Sequence, residues 1–388
     1  MLFLAPGDVA KGRVEPISWM RTCHAYAALG FDVRLVTLTI RRPDGVAPSE
    51  IWGHYGVEQS FRIARIPTPL GRNASIWSFR LWGGVTACAF GLRTIVRQVI
   101  RPSRVIVHTR LPVLAAPFLL GGFLLPRARR PRIIFETHVL PRQSQAWVVK
   151  SVDLVVTNST RLANDIRDQF RLPVQRVLHA PLPPFNPINP CDKQDARTAL
   201  ALPSEVQIAC YTGKMTEEQN EFLLRTASSL SSQLERFRFV LVGGNPEILE
   251  WTRKRISELN LNDVVILPGF VAPSTVGSYQ SAADVLVYHM PDSVAIFPYC
   301  TPAKAYEYQA ARRPIVATDI PLFEEVFGRD GERAIRVKEK SPEELANAII
   351  DAFSLEDGGT DMADRAAAWV RERTWERRVE LILGALGL

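Results

Sequence analysis

The sequence predicts an α/β protein of two domains, each a parallel sheet doubly wound by helices in the Rossmann manner, and three observations predict it. The chain has 388 residues, too many for one ordinary core and enough for two domains of about 150 to 200 residues each. Short apolar runs alternate with helical patterns in two successive series, the pattern of parallel strands covered on both faces. Between the series lies APLPPFNPINP, residues 180–190, with five prolines in eleven residues. So many missing amide donors preclude a regular element there, and the stretch reads as a linker. The expected division is an N-terminal domain over 1–180, a Pro-rich linker over 181–204 and a C-terminal domain over 205–388, whose last helix could pack back on the first domain.

In the first series, PISWMRTCHAYAALG (16–30) has a helical pattern that stops at Gly30, a residue suited to the left-handed position after a helix. Strand-like runs follow at DVRLVTLTI (32–40), RVIVHTR (104–110), RIIFETH (132–138) and DLVVTNS (153–159), the last leading into the helical TRLANDIRDQF. The second series comprises VQIACYTG (206–213), FRFVLVGG (237–244), VVILPGF (264–270), DVLVYHM (284–290) and PIVATDI (314–320). Ligands of such sheets bind beyond the carboxyl ends of the strands. The sequence places His108 and Arg110, Glu136 and His138, Gly213 and Lys214, Gly243 and Gly244, and Gly269 at those ends. Two such sheets are expected to face a central cleft. Glu136 and His138 are two apart on a strand, as are His108 and Arg110, so each pair points to one face.

Hydrophobic residues make up 47% and charged residues 22% of the chain, with no low-complexity block, which excludes a disordered protein. Five scattered cysteines, none in a CxxC, imply a reducing cytoplasm and no zinc site. The opening MLFLAPGDVAKGR has no positive segment before its four apolar residues and is unlike a signal peptide. The longest nearly apolar run, 111–126, is shorter than the roughly 20 residues that span a bilayer. Charge is uneven: residues 1–180 carry 25 Lys and Arg against 10 Asp and Glu, and 181–388 carry 22 against 30. A basic half with no RNP or zinc-finger signature fits either an anionic membrane surface at the inner face or an ordinary Arg-rich surface better than it fits nucleic acid. SIWSFRLWGGVTACAFGLRTIVRQVIRPSR (75–104) mixes Trp77, Phe79, Trp82, Phe90 and Ile95 with Arg80, Arg93, Arg97, Arg101 and Arg104. It fits either an interfacial surface or a sheet-packed helix with solvated arginines.

The stretch CTPAKAYEYQAARRPIVATD, 300–319, carries the chemistry. Thr301 is the expected N-cap and Pro302 the first helical residue, so the amides around Thr301 to Ala303 form an anion site. Glu307, one turn in, cannot hold an anion but can accept hydrogen bonds from hydroxyls. Phosphate at the helix start and a sugar hydroxyl at Glu307 describe a nucleotide-sugar site. Lys214 follows a strand-end glycine, from which a flexible cation reaches a pyrophosphate. Gly243 and Gly244 either close a turn or let backbone approach a ligand.

The motifs YTGKM (211–215), FVLVGGNPE (239–247), VVILPGFV (264–271), ADVLVYHM (283–290) and TPAKAYEYQAARRPIVATDIP (301–321), in that order, resemble the retaining glycosyltransferases of family 4, group 1 glycosyl transferases with the GT-B fold. Weaker matches at AYAALGFDVRLVT (25–37), ETH (136–138) and TNSTRLANDI (157–166) extend the resemblance over nearly the whole chain. It implies metal-independent transfer of a hexosyl or related unit, with retention. The donor would be a UDP- or GDP-sugar and the acceptor a glycan or lipid-linked molecule, in polysaccharide or glycoconjugate synthesis, with no cofactor beyond the donor. It also implies that Glu307 meets the ribose, that Gly213 and Lys214 lie by the diphosphate and His138 by the donor sugar, and that backbone at Gly269, Phe270 and Val271 meets the base. The chain departs from the family pattern at Tyr299, where the first glutamate of an E-x7-E pair is usual. It departs again at Glu218, Gln219 and Asn220, where a second basic residue is usual. Lys304 is the residue placed to supply that charge. A sugar-nucleotide epimerase on the same fold and a non-catalytic nucleotide-sugar or glycan-binding module are the alternatives.

Overall fold

The computed structural model describes residues 1–5, 7–11, 15–39, 46–47, 49–67, 76–100, 105–185, 191–294, 297–299, 301–355 and 358–388. Arg101, Arg104, Cys300, Ile40, Ser75 and the linker residues 186–190 lie outside these, as do the side chains of Trp77, Phe79 and Arg80. The chain divides into two compact units, Met1–Leu182 with Thr374–Leu388, and Pro183–Arg373.

The first unit is a seven-stranded parallel sheet of β1 (Leu2–Leu4), β2 (Arg34–Thr39), β3 (Arg62–Pro67), β4 (Ile106–Thr109), β5 (Arg132–Thr137), β6 (Leu154–Thr157) and β7 (Val177–His179), in the order β3-β2-β1-β4-β5-β6-β7. The apolar start of the chain is thus a central strand, paired with both β2 and β4. The helix Glu15–Ala28 ends as its sequence predicts, with Gly30 at φ +85° and the Phe31 amide donating to the Tyr26 carbonyl at 3.2 Å. Ser159 caps the helix Thr160–Phe170 by accepting from the Leu162 amide at 3.3 Å. The apolar run 111–126 forms the helix Pro112–Gly122, which lies beside the long helix Ile76–Ile100. A Cβ added at Gly91 would stand 3.0 Å from Pro117, and one at Gly121 would stand 1.8 Å from the Ile95 side chain, so glycines set how closely these helices approach. No helix among the described residues is long and apolar enough to cross a membrane.

The second unit is a six-stranded parallel sheet of β8 (Gln207–Gly213), β9 (Phe237–Gly243), β10 (Val265–Gly269), β11 (Val285–Tyr288), β12 (Ile315–Thr318) and β13 (Ile335–Val337), in the order β10-β9-β8-β11-β12-β13. Its core follows the two-residue period of a strand buried on both faces. Ile208, Cys210, Val240, Val242, Leu286 and Tyr288 enter one apolar cluster, and Ala209, Tyr211, Phe239, Leu241, Val285 and Val287 the other. Each fully buried Val, Leu or Phe of this kind contributes about 1.5 to 3 kcal/mol.

One boundary differs from expectation. Residues 191–204, counted as linker, contain the helix Lys193–Ala199, because Asp192 caps it by accepting from the amides of Gln194 and Asp195. Its buried Arg197 pairs with Asp284 at 2.6 Å, which ties the segment to the second unit. At the other end, Thr374–Leu388 belongs to the first unit through the helix Trp375–Ala385, the return expected of the last helix.

Candidate functional site

In the second unit the strand order reverses between β8 and β11, which are neighbours in the sheet but not in sequence. A crevice beyond the carboxyl ends of the strands is expected at such a reversal. Gly213 ends β8, in register with Gly243 at the end of β9, and Gly269 ends β10. All are left-handed or otherwise positive in φ: Gly213 +144°, Gly243 +129°, Gly244 +90° and Gly269 +81°. At Gly243 the requirement is steric as well, since a Cβ there would lie 2.0 Å from the Gly213 carbonyl oxygen. The strand ends therefore present bare backbone. Phe270 is 68% exposed just beyond, while Val271 packs against the apolar cluster.

The helix Ala303–Ala310 starts at this edge. Thr301 is not its N-cap. Pro302 takes that position with φ −73° and ψ 138°, and Thr301 is buried one residue earlier at 1% exposure. With ψ extended, Pro302 stands outside the first helical turn, which begins at Ala303. The cap supplies no side-chain acceptor. The first-turn amides are those of Ala303 and Lys304, the Ala305 amide donating to the Pro302 carbonyl at 3.0 Å.

Neighbouring side chains clamp this helix. Tyr308 Oη accepts from the Thr212 amide at 2.8 Å and donates to the Thr212 carbonyl at 3.2 Å, joining the helix to β8. Tyr306 stacks on Trp369 with ring centroids 5.8 Å apart. Between these tyrosines Glu307 is 7% exposed, one turn from the helix start. Lys304 reaches back over the end of β8. Its Nζ donates to Tyr211 Oη at 2.6 Å and lies 4.0 Å from the Tyr211 ring centroid and 5.1 Å from that of Tyr288. A Cβ built at Gly213 would be 3.4 Å from the Lys304 ammonium, so cation and glycine turn are adjacent. Lys214 is exposed, its carbonyl accepting from Tyr211 Oη at 3.0 Å.

Two further residues belong to this edge, His289, which was not singled out from the sequence, and Gln219, which was noted there only as a departure from the family pattern. His289, directly after β11, is buried, stacks on Phe222 at 3.9 Å and 6°, and shares a 3.1 Å hydrogen bond with Thr318 Oγ1. Burial, and then the charges of Lys304 and Lys340, bring its pKa down to about 3, so the ring is neutral at pH 7. Gln219 stands where a basic residue is usual in the resembled family. Its Nε2 donates to Tyr211 Oη at 2.6 Å and to the His289 carbonyl at 2.7 Å, bridging β8 and β11.

The candidates of the first unit gather around Glu136, at the carboxyl end of β5. His138 Nε2 donates to Glu136 Oε1 at 2.9 Å, and His138 Nδ1 accepts from Arg110 Nη2 at 2.6 Å. His108 Nε2 donates to Glu136 Oε2 at 3.1 Å, while its Nδ1 faces Tyr26 Oη at 3.2 Å. Arg378, from the helix Trp375–Ala385, completes the group at 2.9 Å from Glu136 Oε2. Burial alone would raise the Glu136 pKa, but Arg378, the two histidine hydrogen bonds and Arg110 hold it well below the usual range. Burial and then Arg110 lower His138 to about 4. The group is an ionised carboxylate ringed by two arginines and two neutral imidazoles. Arg378 lies far from the other members in sequence and carries no local signal.

The structure thus brings Gly213, Lys214, Gly243, Gly244, Gly269, Ala303, Lys304 and Glu307 to one edge of the second sheet. His138 belongs to the first unit. Among the described residues no three His, Cys, Asp or Glu side chains are grouped as a metal site.

Residues 206–354 match the family described as glycosyl transferases group 1. Over 157 residues the chain is 29% identical to the putative teichuronic acid biosynthesis glycosyltransferase TuaC of Bacillus subtilis, an alignment spanning 40% of this chain and 36% of that protein. Three solved structures are similar throughout. A glycosyltransferase of Rickettsia africae has a TM-score of 0.72 at 16% identity, covering 99% of this chain and 97% of that one. Anabaena HepE, in complex with UDP and glucose, has 0.70 at 14%, with 99% of both chains covered. Sucrose-phosphate synthase of Thermosynechococcus elongatus has 0.68 at 19%, covering 100% and 97%. The fold is GT-B, two Rossmann-like parallel-sheet domains, and the chain resembles the group 1 glycosyltransferases.

Proposed function

We propose that the protein is a retaining glycosyltransferase that moves a hexosyl or related unit, without a metal, from a nucleotide-sugar to a glycan or lipid-linked acceptor in polysaccharide synthesis. The observation that carries this reading is the adjacency of Lys304, the Gly213 turn and the first-turn amides of the helix Ala303–Ala310, with Glu307 buried one turn further in. A diphosphate at the helix start would meet two amides and the Lys304 ammonium, with Lys214 within reach as a mobile second cation. Glu307 would accept from ribose hydroxyls, and backbone at Gly269 and Phe270 would meet the base. Stabilising the departing nucleoside diphosphate is then the main catalytic contribution of this edge, because charge develops there as the sugar takes on oxocarbenium character. His138, neutral and oriented by Glu136, would accept from a sugar hydroxyl at Nδ1 in place of Arg110, which donates to that nitrogen here. That HepE has been solved with UDP and with UDP-glucose favours a UDP-sugar as donor. The reading places the reaction in the cytoplasm, at the inner face of the membrane.

The test is thermal stabilisation by a panel of UDP- and GDP-sugars, followed by nucleotide release with and without acceptor for Glu307→Gln and Glu307→Ala. Charge-assisted hydrogen bonds contribute about 1.5 to 3 kcal/mol, so Glu307→Ala should lose roughly ten- to a hundredfold in donor affinity or turnover, and Glu307→Gln less. Melting temperatures should stay close to that of the parent. Unchanged donor affinity in both variants would remove Glu307 from the site, and nucleotide-sugar turnover that needs no acceptor would favour epimerisation.

A further inference from the structure

The helices Ile76–Ile100 and Pro112–Gly122 reverse the usual arrangement of a surface helix. Their inner sides are buried, at Thr86, Ala87 and Thr94 on the first and at Leu114, Ala115 and Phe118 on the second. Their outer sides are apolar too. Leu81, Val85, Leu92, Val96 and Val99 recur at helical spacing and are each 48% to 68% exposed. Beside them Val113, Leu120, Phe123 and Leu124 are 41% to 80% exposed. Because Gly84 meets Val113, Gly91 meets Pro117 and Gly121 meets Ile95, the two helices run side by side in the same direction and their apolar stripes adjoin. A contiguous patch of this kind marks an interaction surface.

Charge is concentrated at one end of the patch. Arg93 and Arg97 are exposed on the last turns of the first helix, and Arg127, Arg129 and Arg130 are exposed just past the second. Arg34 and Arg62, which begin β2 and β3, extend the cluster. Arg34 is held below the usual arginine range by partial burial, and then by the neighbouring charges of Arg62 and Arg93. Only Asp32 answers them among the charges acting on Arg34. This asymmetry selects the occupant. A two-fold copy of the chain would bring like charge toward like across a unit whose residues 1–180 hold 25 Lys and Arg against 10 Asp and Glu. An anionic bilayer offers both hydrocarbon for the stripes and negative headgroups for the arginines.

We propose that the paired outer faces of the helices Ile76–Ile100 and Pro112–Gly122 dock on an anionic lipid surface, the apolar stripes entering the headgroup boundary and the arginine cluster binding the headgroups. Both helices run from the carboxyl edge of the sheet, where Arg110 and His138 lie, toward the opposite edge. Docking along their length lays the strands roughly parallel to the membrane plane, with the arginine cluster at the amino edge of the sheet. The inference concerns the surface alone and stands apart from the identity of the donor.

The experiment is co-sedimentation of the full chain with vesicles of phosphatidylcholine alone and of phosphatidylcholine mixed with phosphatidylglycerol. Binding should be at least about tenfold tighter to the mixed vesicles and should weaken in high salt. The double variant Leu92→Glu, Leu124→Glu and the double variant Arg93→Glu, Arg97→Glu should each lose about tenfold or more, with melting temperatures unchanged because all four side chains are exposed. Equal binding to both vesicles, no binding at low salt, or variants that bind like the parent would overturn the proposal. So would a dimer in sedimentation velocity that Leu92→Glu, Leu124→Glu dissociates while vesicles bind nothing, since the occupant would then be a second copy.

Discussion

Lys304 holds its charge between two tyrosine rings at the end of β8 rather than in open water, and that placement gives a prediction separable from the role of Lys214. Lys304→Met keeps the stem packed against Tyr211 and removes the ammonium. Affinity for a nucleoside diphosphate should fall about ten- to a hundredfold, while affinity for the nucleoside should change less than about twofold. Lys214→Ala, at an exposed position, should cost less than Lys304→Met for the same ligand. Titration calorimetry with both ligands checks this, and parallel losses for nucleoside and diphosphate would place Lys304 away from the phosphates. The sequence alone pointed to Lys304 and Glu307 because both lie inside one motif. It could not reveal Tyr211, Tyr308 or Gln219 as their supports, since the contacts Lys304–Tyr211 and Tyr308–Thr212 join residues 93 and 96 apart, and Gln219 reaches the His289 carbonyl across 70. Arg378 was illegible for the same reason. A buried cation on an amphipathic helix becomes informative only when Glu136 is seen opposite it.

At the scale of elements, nine of the thirteen strands among the described residues were legible as apolar runs. The four that were not are β1 and the short β7 and β13, each of three residues, and β3, whose RIARIP carries two arginines and a proline. Three residues are too few to show a period, and an edge strand tolerates charge and proline that hide it. The misplaced cap at Thr301 is a smaller error of the same origin, because a Thr-Pro pair allows either residue to start the helix and tertiary packing selects one. The glycine ends of β8 and β9 give the prediction proper to this scale. Gly243→Ala would put a Cβ 2.0 Å from the Gly213 carbonyl at φ +129°, so the variant should lose about 2 to 4 kcal/mol of stability and lose donor binding with it. Gly384→Ala, where nothing lies within 4 Å of the added Cβ, should leave the melting temperature unchanged or slightly raised. A Gly243→Ala protein as stable as the parent would contradict the strand-end geometry.

For the molecule as a whole, acid sensitivity follows from groups in both units. His138 and His289 have folded pKa values of about 4 and about 3 against an ordinary 6.5. Below pH 6.5 the unfolded chain takes up protons that the folded rings refuse, so stability is full above that pH and declines as pH falls toward 4 and then 3. Glu136 acts in the same direction at lower pH, since its folded carboxylate stays ionised well below the ordinary 4.5. Urea midpoints should therefore drop between pH 7.5 and pH 5, by the equivalent of about 1 to 2 kcal/mol for each histidine, and a midpoint that is flat or rises on acidification would refute the burial of both rings. The division of the chain also orders its synthesis. Residues 183–373 are one contiguous stretch with a unit of their own, whereas the first unit includes Thr374–Leu388, which are made after the whole of the second. Until Arg378 emerges, the Glu136 carboxylate and its two histidines have no guanidinium from that helix to justify their burial. The amino-terminal sheet is thus translated before the second unit and completed after it, and the Glu136 cluster is the part of it that waits longest for its counter-charge.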